Sequence, residues 1–145
     1  ELGFNYRMSN VLAGIGRGQL KVLDQRVAKK KYIFEFYQKE LSSLEGIEFM
    51  PINEWNEPNC WLSAITLNGS VSPLEVMKAL EQENIESRPI WKPMHRQPFF
   101  RKYDFIGTDV ADGLFEKGVC LPSDTKMTDE DLERVVNTIK KLWGV

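Results

Sequence analysis

One histidine and two cysteines are all that 145 residues offer for metal or thiol chemistry. Cys60 and Cys120 lie far apart and outside CxxC spacing, and a lone His95 has no clustered partner, so no metal site is expected. Both thiols read as buried groups in a reducing compartment. A net charge of -2 lacks the clustered positive excess that nucleic acid binding needs, and no nucleic acid partner is implied. The one basic run, Lys29-Lys30-Lys31, reads as a solvated helix face. No apolar run approaches the roughly 18 residues of a membrane span, and no basic start with an apolar stretch marks a signal peptide, so a soluble, cytoplasmic protein is expected. A Gly-rich phosphate loop, a nucleophile elbow and a paired-carboxylate motif are also missing. The acidic side chains gather at helix starts, where capping and the helix dipole account for them.

What is present suits one ordinary core, with 42% hydrophobic residues. Apolar residues from Leu12 and Ile15 through Leu20, Leu23, Val27, Ile33, Phe36, Tyr37 and Leu41 to Leu44 recur every three to five positions. That spacing predicts a long helix over about 10–43, N-capped by Ser9. Gly14, Gly16 and Gly18 weaken its first turns, each by about 1 kcal/mol relative to Ala, which points to close approach of another helix, subunit or ligand. Cys60 to Leu67 alternates as a strand after the polar loop Asn53 to Asn59. Ser72-Pro73-Leu74-Glu75 starts a short helix that Asn84 ends. Ile85 to Arg88 reads as a second strand, cut off by Pro89.

From Pro89 to about Thr108 the prolines forbid regular structure, yet the stretch carries Trp91, Met94, His95, Phe99, Phe100 and Tyr103. Loops of this length in compact domains are uncommon and often functional. A short helix from Asp109 to Lys117 stops at Gly118, Val119-Cys120-Leu121 forms a third strand, and Thr128 to Asp131 starts a terminal helix whose inner stripe runs from Leu132 to Trp143. The expected fold is α+β: a long helix, then a three-stranded, mainly antiparallel sheet with packed helices.

Three segments carry a more specific signal. Gly3-Phe4-Asn5-Tyr6-Arg7-Met8-Ser9-Asn10 with the helix that follows resembles the GxNYRMS segment of the DegT/StrS family of sugar aminotransferases. Arg88-Pro89-Ile90-Trp91-Lys92-Pro93-Met94-His95-Arg96-Gln97-Pro98 resembles the family's RPxWKPMHxQP segment. Gly118-Val119-Cys120-Leu121-Pro122-Ser123 matches its CLPSG-type ending, with Asp124 in place of the glycine. The likeness runs in order along nearly the whole chain.

The resemblance implies that residues 1–145 are the small C-terminal domain of a fold-type I transferase that depends on pyridoxal 5'-phosphate (PLP). The large PLP-binding domain would lie upstream, consistent with a chain that begins at Glu1 rather than Met, and two copies would share active sites in a homodimer. The Schiff-base lysine of the family precedes the GxNYRMS segment and matches no lysine here, so this chain by itself should be inactive. The resemblance further implies a nucleotide-linked keto sugar and glutamate as substrates, with the amino sugar destined for a surface polysaccharide or glycan. The RPxWKPMH form is similar to members acting on 4-keto-6-deoxy sugars.

Residue by residue, it places Asn5 on the cofactor phosphate of the other subunit and Tyr6 and Arg7 toward a diphosphate. His95 would hydrogen-bond substrate or cofactor rather than act as the main base. Trp91, Lys92 and Met94 would line the sugar pocket. On the residues alone, the alternatives are a turn former for Asn5, a surface or interface ion pair for Arg7, a structural group for His95, and core packing for Trp91 and Met94. A PLP-dependent sugar dehydratase of the same family, with histidine replacing the lysine, and a non-catalytic α+β binding module are the competing functions.

Overall fold

The computed structural model describes residues 8–145. Asn5, Tyr6 and Arg7 therefore lie outside the described residues. Ser9 caps the first helix, α1 (Asn10–Leu20), by accepting from the Leu12 N–H at 3.2 Å. Where one helix over 10–43 is expected, there are two: a turn at 21–22 separates α1 from α2 (Leu23–Leu41). The physical reason lies in what packs on each. Ile33, Phe34, Tyr37 and Leu41 of α2 are buried, whereas α1 buries nothing and its Gly14, Gly16 and Gly18 face open space. Phe34, outside the expected stripe, is buried as well, whereas Phe36 packs against the core only partly buried.

The sheet has four strands where the sequence predicts three. The additional one, β1 (Ile47–Phe49), is too short for its own periodicity to show, and it pairs antiparallel with β2 (Ser63–Leu67). Gly46 makes the approach possible at a φ of +81°, where a Cβ would lie 2.5 Å from the Gly69 nitrogen. The second strand is shorter than expected because Cys60 adopts a left-handed φ of 49°, which turns Trp61 out of the ladder.

Helix α3 (Pro73–Gln82) begins at the expected Ser72, Pro73 and Glu75 capping box, and Asn84 leaves it in a left-handed conformation. Arg88–Pro89 forms β3, with Pro89 inside the pairing rather than beyond it. An edge strand tolerates this, since the missing N–H need not face a neighbour. Helix α4 (Val110–Lys117) runs directly into β4 (Gly118–Leu121), and α5 (Asp129–Leu142) starts at a second capping box between Thr128 and Asp131. The order β1-β2-β4-β3 is antiparallel throughout.

Helices α2, α3 and α5 pack with the sheet around one core that includes Tyr37, Ile65, Leu80, Val119, Leu132 and Ile139. Each such side chain contributes about 1.5–3 kcal/mol by leaving water. Lys140 on α5 meets Glu40 on α2 at 2.8 Å, and Trp143 donates its indole N–H to the Glu45 carbonyl at 3.0 Å from a half-buried position at the core's rim.

Candidate active-site surface

The sheet's β3 edge is where the chain turns aromatic. The Ile90 N–H still reaches the Gly118 carbonyl at 3.4 Å, and the chain then leaves the sheet at Trp91. Trp61, the residue turned out before β2, comes to meet it. Their ring centroids lie 6.0 Å apart at 32°, and the two residues are 63% and 64% exposed. These indoles stand on a groove of about 890 Å³, which also takes in Arg88, Lys92, Asp124 and Arg134.

The backbone beneath Trp61 is pinned on both sides. Its N–H donates to the Asn59 side chain at 3.0 Å, and Lys30 Nζ donates to its carbonyl at 2.9 Å and also to the Ser123 carbonyl. The Ser63 N–H donates to Ser123 Oγ at 3.1 Å, and Tyr37 donates its hydroxyl to the Pro122 carbonyl at 2.8 Å. Thus the Pro122-Ser123-Asp124 segment is clamped from α2 and β2 together. The expectation of Lys29-Lys30-Lys31 as a solvated face is corrected here: all three are half-buried, and burial pushes the Lys30 amine below its usual pKa despite the opposing pull of Asp124.

A second cluster lies beyond Trp91 on a single turn of 3-10 helix, Met94–Arg96. His95 Nε2 is 2.9 Å from Asp112 Oδ2 on α4, and the Phe105 ring lies 3.9 Å from the imidazole at 31°. Arg96 reaches Asp112 at 3.3 Å and Glu116 at 2.9 Å, with its guanidinium carbon 5.5 Å from the Phe115 ring centre.

Among the sequence-predicted site residues, Trp91 and Lys92 line the groove, whereas Met94 and His95 stand beside it. Trp91 and Met94 are not core residues, at 64% and 57% exposure. Trp61, Phe105 and Asp112 join the picture only in three dimensions. Sequence separation hid Trp61, and Asp112 passes for an ordinary helix-start acid.

For a PLP phosphate and aldehyde, the described residues make a poor holder. Arg88 is already paired with Glu86 at 2.8 Å, and Lys30, the one amine that burial perturbs, is committed to two carbonyls. What they form is a pinned aromatic wall with cations at its edge.

The architecture is that of a small α+β domain presenting one aromatic, partly cationic face. Its sequence places it more narrowly. The chain belongs to the DegT/DnrJ/EryC1/StrS aminotransferase family, which matches residues 1–140. It is 43% identical over 99% of its length to EpsN of Bacillus subtilis, provisionally named a pyridoxal phosphate-dependent aminotransferase. It is 30% identical over 97% of its length to the GDP-perosamine synthase of Caulobacter vibrioides. The chain spans 38% and 39% of those relatives. Its fold matches that of a DegT/DnrJ/EryC1/StrS aminotransferase from Brucella abortus, with a TM-score of 0.86 at 20% identity, covering 99% of this chain and 38% of that one.

Proposed function

We propose that this chain is the small C-terminal domain of a PLP-dependent aminotransferase that moves an amino group from glutamate to a keto sugar carried on a nucleotide, for a surface polysaccharide or glycan. The observation that carries the reading is the family match over residues 1–140. The relatives named for perosamine synthesis support a nucleotide-sugar substrate. The large domain, holding the Schiff-base lysine and most of the cofactor site, lies in the rest of the protein, and two copies complete the active sites.

In this reading the chain's own residues bind and orient. Trp91, backed by Trp61, offers a flat apolar surface to a sugar ring beside Lys92, while Arg7 supplies positive charge for the diphosphate. Met94 borders the sugar, Tyr6 sits beside Arg7, and Asn5 donates its amide N–H to the cofactor phosphate of the partner subunit. His95 accepts or donates a hydrogen bond at the substrate. PLP, when bound, would supply the electron-sink chemistry of amino transfer.

The test uses the full-length protein loaded with PLP, a nucleotide-linked 4-keto-6-deoxy sugar and glutamate. Formation of the amino sugar in step with 2-oxoglutarate is expected. Loss of a sugar hydroxyl without amination would overturn the reading in favour of the dehydratase.

A further inference from the structure

We infer that Asp112 is a positioning residue for His95, holding the neutral imidazole as its Nε2–H tautomer so that Nδ1 accepts from a hydroxyl of the sugar substrate. The inference rests on the reading of His95 as an active-site group.

Helices α3, α4 and α5 each carry a carboxylate at the third helical position. Glu75 and Asp131 turn back to the N–H groups of Ser72 and Thr128, at 2.7 and 2.9 Å, and close capping boxes. Asp112 does not. The cap residue of its helix, Asp109, makes no side-chain bond either, so α4 forgoes both halves of the box. The Asp112 carboxylate is spent instead on His95 at 2.9 Å and Arg96 at 3.3 Å.

An ionised carboxylate can only accept, so His95 must donate from Nε2, and in the neutral ring this leaves Nδ1 without a proton. Arg96 pairs with the other carboxylate oxygen, Oδ1, at 3.3 Å, which leaves Oδ2 to the imidazole. Phe105, 3.9 Å away, covers one face of the ring and resists its rotation. Among the described residues the imidazole makes its one hydrogen bond through Nε2. An unprotonated Nδ1 can meet an O–H donor but not a phosphate or keto oxygen, which only accept. In its neutral form His95 therefore recognises a sugar hydroxyl rather than the diphosphate or the reacting carbonyl.

The experiment uses isotope-labelled full-length holoenzyme, with His95 signals identified by their loss in His95→Gln. Nitrogen NMR at mildly alkaline pH should show Nε2 protonated and Nδ1 bare. In Asp112→Ala the two tautomers should mix, and KM for the nucleotide sugar should rise about tenfold with kcat less affected. Asp112→Asn, whose amide oxygen still accepts, should restore most of both, and Arg96→Met should keep the tautomer. A wild-type ring protonated on Nδ1, or an unchanged tautomer in Asp112→Ala, would overturn the inference. A tautomer that responds as expected while His95→Gln leaves KM unchanged would instead sink the active-site reading of His95, and the sugar contact with it.

Discussion

Lys30 on α2 donates from Nζ to the backbone carbonyl of Trp61, 31 residues away, at 2.9 Å. The same amine holds the Ser123 carbonyl, so one side chain ties the aromatic wall to the segment after β4. Replacing Lys30 with Met keeps the packed stem and removes the donors. Hydrogen bonds from a charged group are worth about 1.5–3 kcal/mol, but burial already disfavours this charge, so the expected cost is near 1 kcal/mol. Urea unfolding measures it, and Trp61 fluorescence anisotropy should fall in the folded variant.

Tyr37 is fully buried, and burial, then the nearby Asp131 charge, raise its hydroxyl above the ordinary 10.0. The folded state keeps the proton when the unfolded state loses it. The stabilisation is present in full below pH 10.0 and declines as pH rises beyond it. Lys30 acts in the opposite sense, because its lowered pKa makes deprotonation favour the fold. The Tyr37 effect is expected to win, giving an alkaline loss of stability that Tyr37→Phe flattens. The same variant should cost about 1 kcal/mol at neutral pH by leaving the Pro122 carbonyl without its donor, as denaturant midpoints on both sides of pH 10.0 would show.

At Gly118 an added Cβ would lie 2.5 Å from the Leu114 carbonyl oxygen and closer still to Ile90 Cδ1. The backbone there is extended, so space rather than conformation demands glycine. Gly118→Ala should cost about 1–3 kcal/mol by overpacking. Shortening the neighbour with Ile90→Ala should relieve only part of this in a double-mutant cycle, because the Leu114 oxygen stays.

The α1 stripe of Val11, Leu12 and Ile15 is exposed, with open space at Gly14, Gly16 and Gly18. Within this chain, Gly16→Ala should strengthen α1 by about 1 kcal/mol and raise the helical circular dichroism signal. In the proposed full-length homodimer, where α1 would meet another backbone, the sign should reverse, and analytical ultracentrifugation of the variant would record weaker association.

On the proposed function, Trp91→Ala in the full-length protein should raise KM for the nucleotide sugar by about fivefold, corresponding to the order of 1 kcal/mol for an aromatic contact. Trp91→Phe should recover most of it. Steady-state kinetics with a varied nucleotide sugar and fixed glutamate would show a kcat little changed.

Local chemistry was legible wherever one segment contains all its causes. Ser72 with Glu75 and Thr128 with Asp131 announced their helices, because both halves of a capping box lie three residues apart. The RPIWKPMH and CLPS segments announced the family for the same reason: the identities are contiguous. Continuity of the first helix was not legible, since the apolar stripe of α1 has the same spacing whether or not anything covers it. Nor was β1, whose three residues become a strand only by pairing with Ile65, Thr66 and Leu67.

The sequence by itself determined the starts of α1, α3 and α5, the family, and the presence of His95 and Trp91 in one aromatic loop, though not that Pro89 pairs in β3 or that Met94–Arg96 forms a 3-10 turn. Only the tertiary structure decided that Trp61 stands beside Trp91, that Lys30 serves as a clamp rather than a solvated charge, and that Asp112 turns from its own helix cap to His95. The reason is physical. Capping and periodicity act within a few residues along the chain, whereas a carboxylate or an amine chooses among partners by distance, and the fold sets those distances.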